Sequence, residues 1–106
     1  MSLNNLSLPL GVVGDITGAL GASRESVGIY WGLAESNPAR YSPDLARSLG
    51  ILGTILRGLG QRSEAAQAFD EGVEFLRPFA QKMPGSPYSG LLDALEGDLR
   101  RTREEG

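Results

Sequence analysis

The feature that most constrains the fold is an internal repeat with a period of 46 residues. When the chain is shifted by this amount against itself, residues of matching character align without a gap along the overlap. Identical pairs include Leu6/Leu52, Leu10/Leu56, Gly14/Gly60, Ala19/Ala65, Val27/Val73 and Pro38/Pro84. Any two amphipathic helices share spaced leucines. Glycines and prolines mark the ends of helices instead of packing in the core, so their pairing at this period favours a true repeat. A period of this length is typical of stacked helical units.

The apolar residues within each unit follow helical spacing. They advance by three or four positions along Leu3, Leu6, Leu10 and Val13, and again along Leu45, Leu49, Leu52, Leu56 and Leu59. This spacing places them on one side of a helix, and strand-like alternation is not seen. The chain is therefore predicted to be all-α, a superhelix of antiparallel helical hairpins with about five helices.

Glycine and proline predict where these helices end. Gly14 and Gly60 follow the leucine stripes and should turn the chain, because glycine tolerates positive φ. A second helix should follow each turn. In the first unit its predicted stripe is Ala19, Ala22, Val27, Tyr30 and Leu33. In the second unit this helix is predicted to be capped by Ser63, and its apolar stripe runs from Ala65 to Met83. A kink or a restart of the helix is predicted at Pro78.

The remaining segments are predicted to be loops and one final helix. Residues 37–43 and 83–89 hold the paired prolines and form matching loops, with Ser42 or Pro43 beginning the next helix of the second unit. The last helix begins near Ser89. Its apolar stripe fades, because Asp98 stands where Leu52 stood one unit earlier, as a terminal repeat facing water requires.

The amino-acid composition excludes most of the usual catalytic and metal sites. The chain has 106 residues, a net charge of -3, and neither Cys nor His. Disulfides, thiolate nucleophiles and the usual zinc ligands are therefore absent, and we predict no enzyme activity, no catalytic or metal site and no cofactor. The negative net charge argues against general binding to nucleic acid or to anionic membranes.

No membrane anchor or export signal is predicted. The apolar stretch before Ser23 lacks a preceding basic residue and is interrupted by Asp15, so it is not a signal peptide. No apolar run approaches the roughly 20 residues of a transmembrane helix. A cytoplasmic location is expected. The two ends resemble additions from an expression vector, which suggests a fragment of a larger protein.

The string from Leu59 to Phe69, with Leu-Gly, then Glu-Ala, then an aromatic residue, resembles the tetratricopeptide repeat. The likeness covers nearly the whole chain, with a unit longer than the usual 34 residues. It is similar to the long-helix variety related to kinesin light chain repeats and common in bacterial regulatory proteins. The implied organisation is a single domain over residues 1–106, with units at about 1–46 and 47–92 and a capping helix at about 89–105.

The resemblance assigns packing roles to the matching positions. In the second unit these are Leu49, Leu52, Gly53, Leu56, Ala65, Phe69 and Gly72. Their counterparts in the first unit are Leu3, Leu6, Ser7, Leu10, Ala19, Ser23 and Ser26. Ser23 replaces the aromatic residue and marks the first unit as degenerate. Small residues at such positions let two helices approach closely while large ones fill the gap.

The function that the resemblance implies is protein binding on a concave surface made by the first helices, which receives a peptide or helix of a partner. The residues predicted to line it are Asn5, Arg47, Ile51, Thr54, Arg57, Glu96, Arg100 and Arg103. Two interpretations are open: the arginines form a groove for an acidic segment, or they merely solvate exposed helix faces. Asn5 matches the Asn of peptide-clamping repeats, but its counterparts Ile51 and Gly97 do not complete a clamp.

Three alternatives remain beside this interpretation. Glu64, Asp70, Glu71 and Glu74 could form the carboxylate metal site of a helical enzyme fragment. Arg100, Arg101 and Arg103 could bind nucleic acid through the last helix. Finally, exposed Ile29 and Trp31 in the first unit could be covered by a second copy of the chain, giving a homodimer.

Overall fold

All secondary-structure elements in the described part of the chain are helices. In this computed structural model the backbone is described for residues 10–105 and the side chains for residues 16–104. The helices are α1 (Leu10–Ser36), α2 (Pro38–Gly58), α3 (Arg62–Lys82) and α4 (Pro87–Glu105). The all-α prediction is confirmed, with four described helices instead of about five. Most of the extra helix predicted over residues 3–13 lies outside the described residues, and its end belongs to α1.

Each helix packs against its neighbours in sequence. The pairs α1 with α2, α2 with α3 and α3 with α4 make the main contacts, and α2 also touches α4. Long side chains join α1 to α3, as in the contact between Trp31 and Phe75. The helices therefore form antiparallel hairpins in two layers, one holding α1 and α3 and the other α2 and α4.

The core lies mainly between α2 and α3. Phe69, Leu45, Leu56, Leu76 and Val73 are its largest fully buried side chains, together with Thr102 from α4. The hydroxyl of Thr102 donates to the carbonyl oxygen of Asp98 at 2.7 Å, so burying this polar group leaves no unpaired donor. At about 2–3 kcal/mol for each buried large apolar side chain, this cluster provides much of the fold's stability.

Close helix approaches occur at glycines. A Cβ on Gly72 of α3 would lie 3.2 Å from the carbonyl oxygen of Ala46 and 3.6 Å from the Cβ of Leu49, both on α2. The packing roles predicted in the second unit are confirmed, since every one of those positions is buried: Leu49, Leu52, Gly53, Leu56, Ala65, Phe69 and Gly72.

The predicted turn at Gly60 is confirmed. Gly60 has a φ of +81°, which a side chain would disfavour. Its amide donates to the carbonyl oxygen of Arg57 at 3.0 Å, and the amide of Gln61 donates to that of Leu56 at 2.9 Å. These two bonds satisfy carbonyl groups at the end of α2 in the pattern known as the Schellman motif.

The turn predicted at Gly14 is wrong, because Gly14 lies inside α1. A glycine in a helix interior costs only about 1 kcal/mol, which the contacts of a long helix can offset. In the same helix the predicted stripe is only partly correct: Ala19 and Ala22 are exposed and Leu33 is 37% exposed, while Ser23 and Ala34 are buried. Val27 and Tyr30 pack at the edge of the core.

The loop predicted over residues 37–43 is also wrong. Helix α2 begins at Pro38, and the side chain of Asn37 caps it by accepting a hydrogen bond from the amide of Arg40 at 3.3 Å. Proline suits the first helical position, because the amide of that position needs no partner. Pro43 lies inside the helix and is buried. Asn37 and Pro38 therefore begin a helix and are not part of a loop.

The ends of α3 and α4 lie close to their predicted positions. Helix α3 begins at Arg62 with Gln61 as its N-cap, so Ser63 does not cap it, and it continues through Pro78 without ending there. Helix α4 begins at Pro87 rather than Ser89. The ends of α1 and α3, Ser36 and Lys82, are 46 positions apart and match the repeat period.

Within the described residues, no helix combines the length and the apolar character that crossing a membrane requires.

Candidate functional site

A groove lies between α2 and α4, on the layer that the sequence predicted to be concave. Its volume is about 300 Å³. Helix α2 contributes Arg47, Gly50, Ile51, Thr54 and Ile55, and α4 contributes Leu91, Ala94, Leu95 and Asp98. Most of these side chains are apolar, so the groove offers contact area rather than a reactive group.

Gly50 sets the depth of this groove. A Cβ at this position would lie 2.7 Å from Cδ2 of Leu95, so only glycine allows α4 to come so close without moving that side chain. The same leucine is 2% exposed and also approaches Gly72 of α3. Leu95 therefore fixes α4 against both helices of the preceding hairpin and forms the base of the groove.

The stripe of α2 that lines the groove runs beside the buried leucine stripe. Arg47, Ile51 and Thr54 are spaced by four and three residues, which aligns them along one side of the helix. Ile51 is 54% exposed although it stands among apolar neighbours. Burying that side chain against a partner would contribute about 1 kcal/mol or more.

The polar groups of the groove are already paired within their own helices. Arg47 forms an ion pair with Asp44 at 3.2 Å, and the hydroxyl of Thr54 donates to the carbonyl oxygen of Gly50 at 3.0 Å. On α4, Arg101 donates to the carboxylate of Asp98. Both signs of charge therefore line the groove, Arg47 on α2 and Asp98 on α4.

The structure brings together only some of the predicted binding residues. Arg47, Ile51 and Thr54 line the α2/α4 groove. Arg100 and Arg103 instead line a separate depression between α3 and α4, together with Glu96, Asp70, Arg77 and Glu104. Arg57 is half-buried near the end of α2. Asn5 lies outside the described residues.

The difference arises from the rotation of α4. The 46-residue alignment matches Thr54 with Arg100 and so assigns Arg100 to the groove, whereas Ala94 and Asp98 are the residues that face α2. Among the groove residues that sequence reasoning missed, Gly50 carried the best signal, because a glycine in the middle of a leucine-rich helix often marks a close approach. Asp98 was noticed only as an interruption of the apolar stripe.

The carboxylates of α3 are not gathered into a metal site. Glu64 pairs with Arg24 of α1 at 3.2 Å, and Glu74 pairs with Arg77 at 3.1 Å. Burial raises the pKa of Glu71, and the neighbouring Asp70 raises this pKa further. Among the described side chains, no three acidic residues lie close enough together to hold a metal ion.

Comparison with protein-family models, with curated proteins and with solved structures gave no match to this chain.

Proposed function

We propose that this chain is a protein-binding module that receives a short amphipathic segment of a partner in the α2/α4 groove. The observation that carries the proposal is the exposure of Ile51, which is more than half exposed in the groove. The other apolar side chains that line the groove are Ile55, Leu91, Ala94 and Leu95. An apolar anchor residue of the partner would cover Ile51, as buried anchors do at the centre of protein interfaces.

The charges at the groove favour a partner segment that carries a carboxylate near Arg47. Arg47 is exposed, and its pair with Asp44 is a surface pair that contributes little to stability. The guanidinium can therefore exchange that partner for an incoming carboxylate at small cost. Arg100 and Arg103 belong to the other depression and do not contribute to this recognition.

We further propose that the module is tetratricopeptide-like and acts by binding, without catalysis, in the cytoplasm. The two-layer arrangement, the small residues at helix approaches and the 46-residue separation between the ends of α1 and α3 support the repeat architecture. The absence of Cys and His from the sequence supports a binding role over a catalytic one.

The test is a selection of helical peptides from a random library on the immobilised chain. Binders should lose at least tenfold in affinity on Ile51→Asp, because the substitution places a charge in the apolar groove. Ile29→Asp is the matched control, since Ile29 is an isoleucine of similar exposure, 56% against 54%, on a different helix. Binders that treat both variants alike would place the binding site elsewhere.

A second proposal, a homodimer, has its own observation. Ile29 and Leu33 of α1 are 56% and 37% exposed and stand four residues apart, so they form one apolar strip. A second copy of the chain that covered this strip would remove it from water. Sedimentation analysis should then show a dimer that Ile29→Asp dissociates and Ile51→Asp leaves intact, whereas a monomer at all concentrations would contradict the dimer.

A further inference from the structure

A second cavity, of about 410 Å³, lies on the opposite layer, between α1 and α3. Its walls are two pairs of residues spaced by one helical turn: Trp31 and Glu35 on α1, and Phe75 and Phe79 on α3. Its base is α2, where Leu45 is fully buried. The cavity is therefore an aromatic pocket built from three helices.

The aromatic walls are held in place by ring contacts. Trp31 and Phe75 meet edge to face, with ring centroids 5.1 Å apart and ring planes at 83°. Phe79 packs in turn against Tyr88, with centroids 6.1 Å apart. Trp31 is nevertheless 37% exposed, so part of its indole ring remains open to a ligand.

The charges at this pocket are acidic. Glu35 and Glu74 line it, and no basic residue does. Glu74 is paired with Arg77. Among the described residues, no hydrogen bond or ion pair engages the side chain of Glu35, and Arg40, which follows in sequence, instead lies over the ring of Tyr41 at 5.4 Å. Within the described part of the chain, Glu35 is thus a carboxylate that forms no ion pair.

The position of Glu35 at the end of α1 favours a cation beside it. Glu35 lies in the last turn of α1, which contains no basic residue. The C-terminus of a helix carries partial negative charge, so an acidic side chain there is repelled and a cation is attracted. A positively charged ligand would pair with this carboxylate while it covered the exposed part of Trp31.

We propose that this pocket binds an arginine side chain of a partner protein. A guanidinium group stacks on aromatic rings and pairs with carboxylates in a planar, two-bond geometry, which a lysine ammonium cannot reproduce. Trp31 and Phe75 supply the rings, and Glu35 supplies the carboxylate. This site is separate from the α2/α4 groove and does not depend on it.

Trp31 provides a direct readout, because it is the chain's single tryptophan. The full chain would be titrated with the peptide Ac-Leu-Arg-Leu-NH2, and in parallel with the same peptide carrying citrulline, the neutral isostere of arginine. We expect a saturable change in Trp31 fluorescence, with the arginine peptide bound about tenfold more tightly than the citrulline peptide.

Three variants separate the effect of the Glu35 charge from effects on the fold and on the α2/α4 groove. Glu35→Gln should remove the preference for arginine and leave thermal stability equal or higher, because it removes a carboxylate from a helix C-terminus. Glu25→Gln, an exposed carboxylate on the same helix, should change neither. Ile51→Asp should also leave arginine binding unchanged, so failure of this site is distinguishable from failure of the α2/α4 groove.

Four outcomes would overturn the proposal. The first is equal binding of the two peptides, and the second is a preference for arginine that survives Glu35→Gln. The third is that the arginine peptide changes neither Trp31 fluorescence nor the amide NMR signals of Glu35 and Phe75. The fourth is a dimer that Glu35→Gln dissociates. The last would make a second copy of the chain the occupant of the pocket.

Discussion

Gly53 on α2 lies directly against the ring of Phe69 on α3. A Cβ at Gly53 would stand 2.7 Å from Cε1 of that ring, 2.8 Å from Cζ and 2.9 Å from Cδ1, closer than real carbon atoms approach. Phe69 is itself fully buried, so its ring has little room to retreat. The distance between α2 and α3 is therefore set by a glycine on one helix and an aromatic ring on the other.

Gly53→Ala should lower the free energy of unfolding by about 1–3 kcal/mol, the usual cost of overpacking a core. The measurement is urea denaturation followed by circular dichroism. Gly58→Ala is the control on the same helix, because a Cβ there meets nothing within 4 Å. If the two substitutions have equal effects, the clash with Phe69 is not what limits the approach of α2 and α3.

The same contact predicts coupling between the two positions. Phe69→Leu alone should destabilise the fold, but in the Gly53→Ala background it should cost less, since the smaller side chain makes room for the added methyl group. The expected coupling energy is about 0.5 kcal/mol or more. Additive effects in this double-mutant cycle would contradict the contact.

Gly32→Ala should have the opposite effect and stabilise α1. Gly32 is inside the helix, and a Cβ there would meet no atom within 4 Å. Removing the glycine should raise the free energy of unfolding by about 0.5–1 kcal/mol, because alanine loses less backbone entropy in a helix. Helix content and thermal midpoint would both rise. An unchanged midpoint would indicate that α1 unfolds separately from the measured transition.

Glu71 should make the stability of the fold depend on pH. Burial and then Asp70 raise its pKa above the ordinary value of 4.5, so the folded chain holds this proton more tightly than the unfolded chain does. The contribution of Glu71 to stability is therefore greatest below pH 4.5 and is lost as the pH rises through the raised pKa.

Glu71→Gln tests this sign. The variant should be more stable than the wild type at pH 7, and the difference should disappear well below pH 4.5, where the wild-type carboxyl is protonated in both states. Glu25→Gln serves as an exposed control. A constant difference at all pH values would assign the effect to packing instead of charge.

Arg47→Ala should weaken acidic binders of the α2/α4 groove by about two- to fivefold, the range of an exposed ion pair. The same binders should be unaffected by Arg100→Ala and Arg103→Ala, since both residues line the depression between α3 and α4. Competition binding with one labelled peptide would measure all three. An equal loss with Arg100→Ala would restore the single arginine-lined groove that the sequence suggested.

The structure was predicted best from the sequence where the spacing of apolar residues and the position of a glycine indicated the same helix boundary. The helical class and the buried leucines of α2 follow from leucine spacing, and the turn at Gly60 follows from one glycine in a left-handed conformation. Gly14 and the segment 37–43 were mispredicted, because glycine and proline permit a turn but do not require one. Asn37 and Pro38 are equally suited to beginning a helix.

The candidate site was harder to predict because it depends on rotation. Asp98 and Arg100 are two positions apart, which is about 200° around α4, so the rotation angle of α4 decides which of them faces α2. Periodicity alone does not fix that angle. It is fixed by Leu95, which settles against Gly50 and Gly72 on two other helices. The aromatic pocket depends in the same way on contacts between helices, since Trp31 and Phe75 are distant in sequence.

The two-layer arrangement also has a consequence for how the chain folds. In the described part, backbone contacts between helices join sequence neighbours, apart from the light contact between α2 and α4. Most contacts are therefore short in sequence separation, which favours fast folding. The α2–α3 hairpin can form first and serve as a template onto which α1 and α4 add from either side. The outer helices can then open one at a time, so a ligand held by α1 or α4 would slow the opening of that end alone.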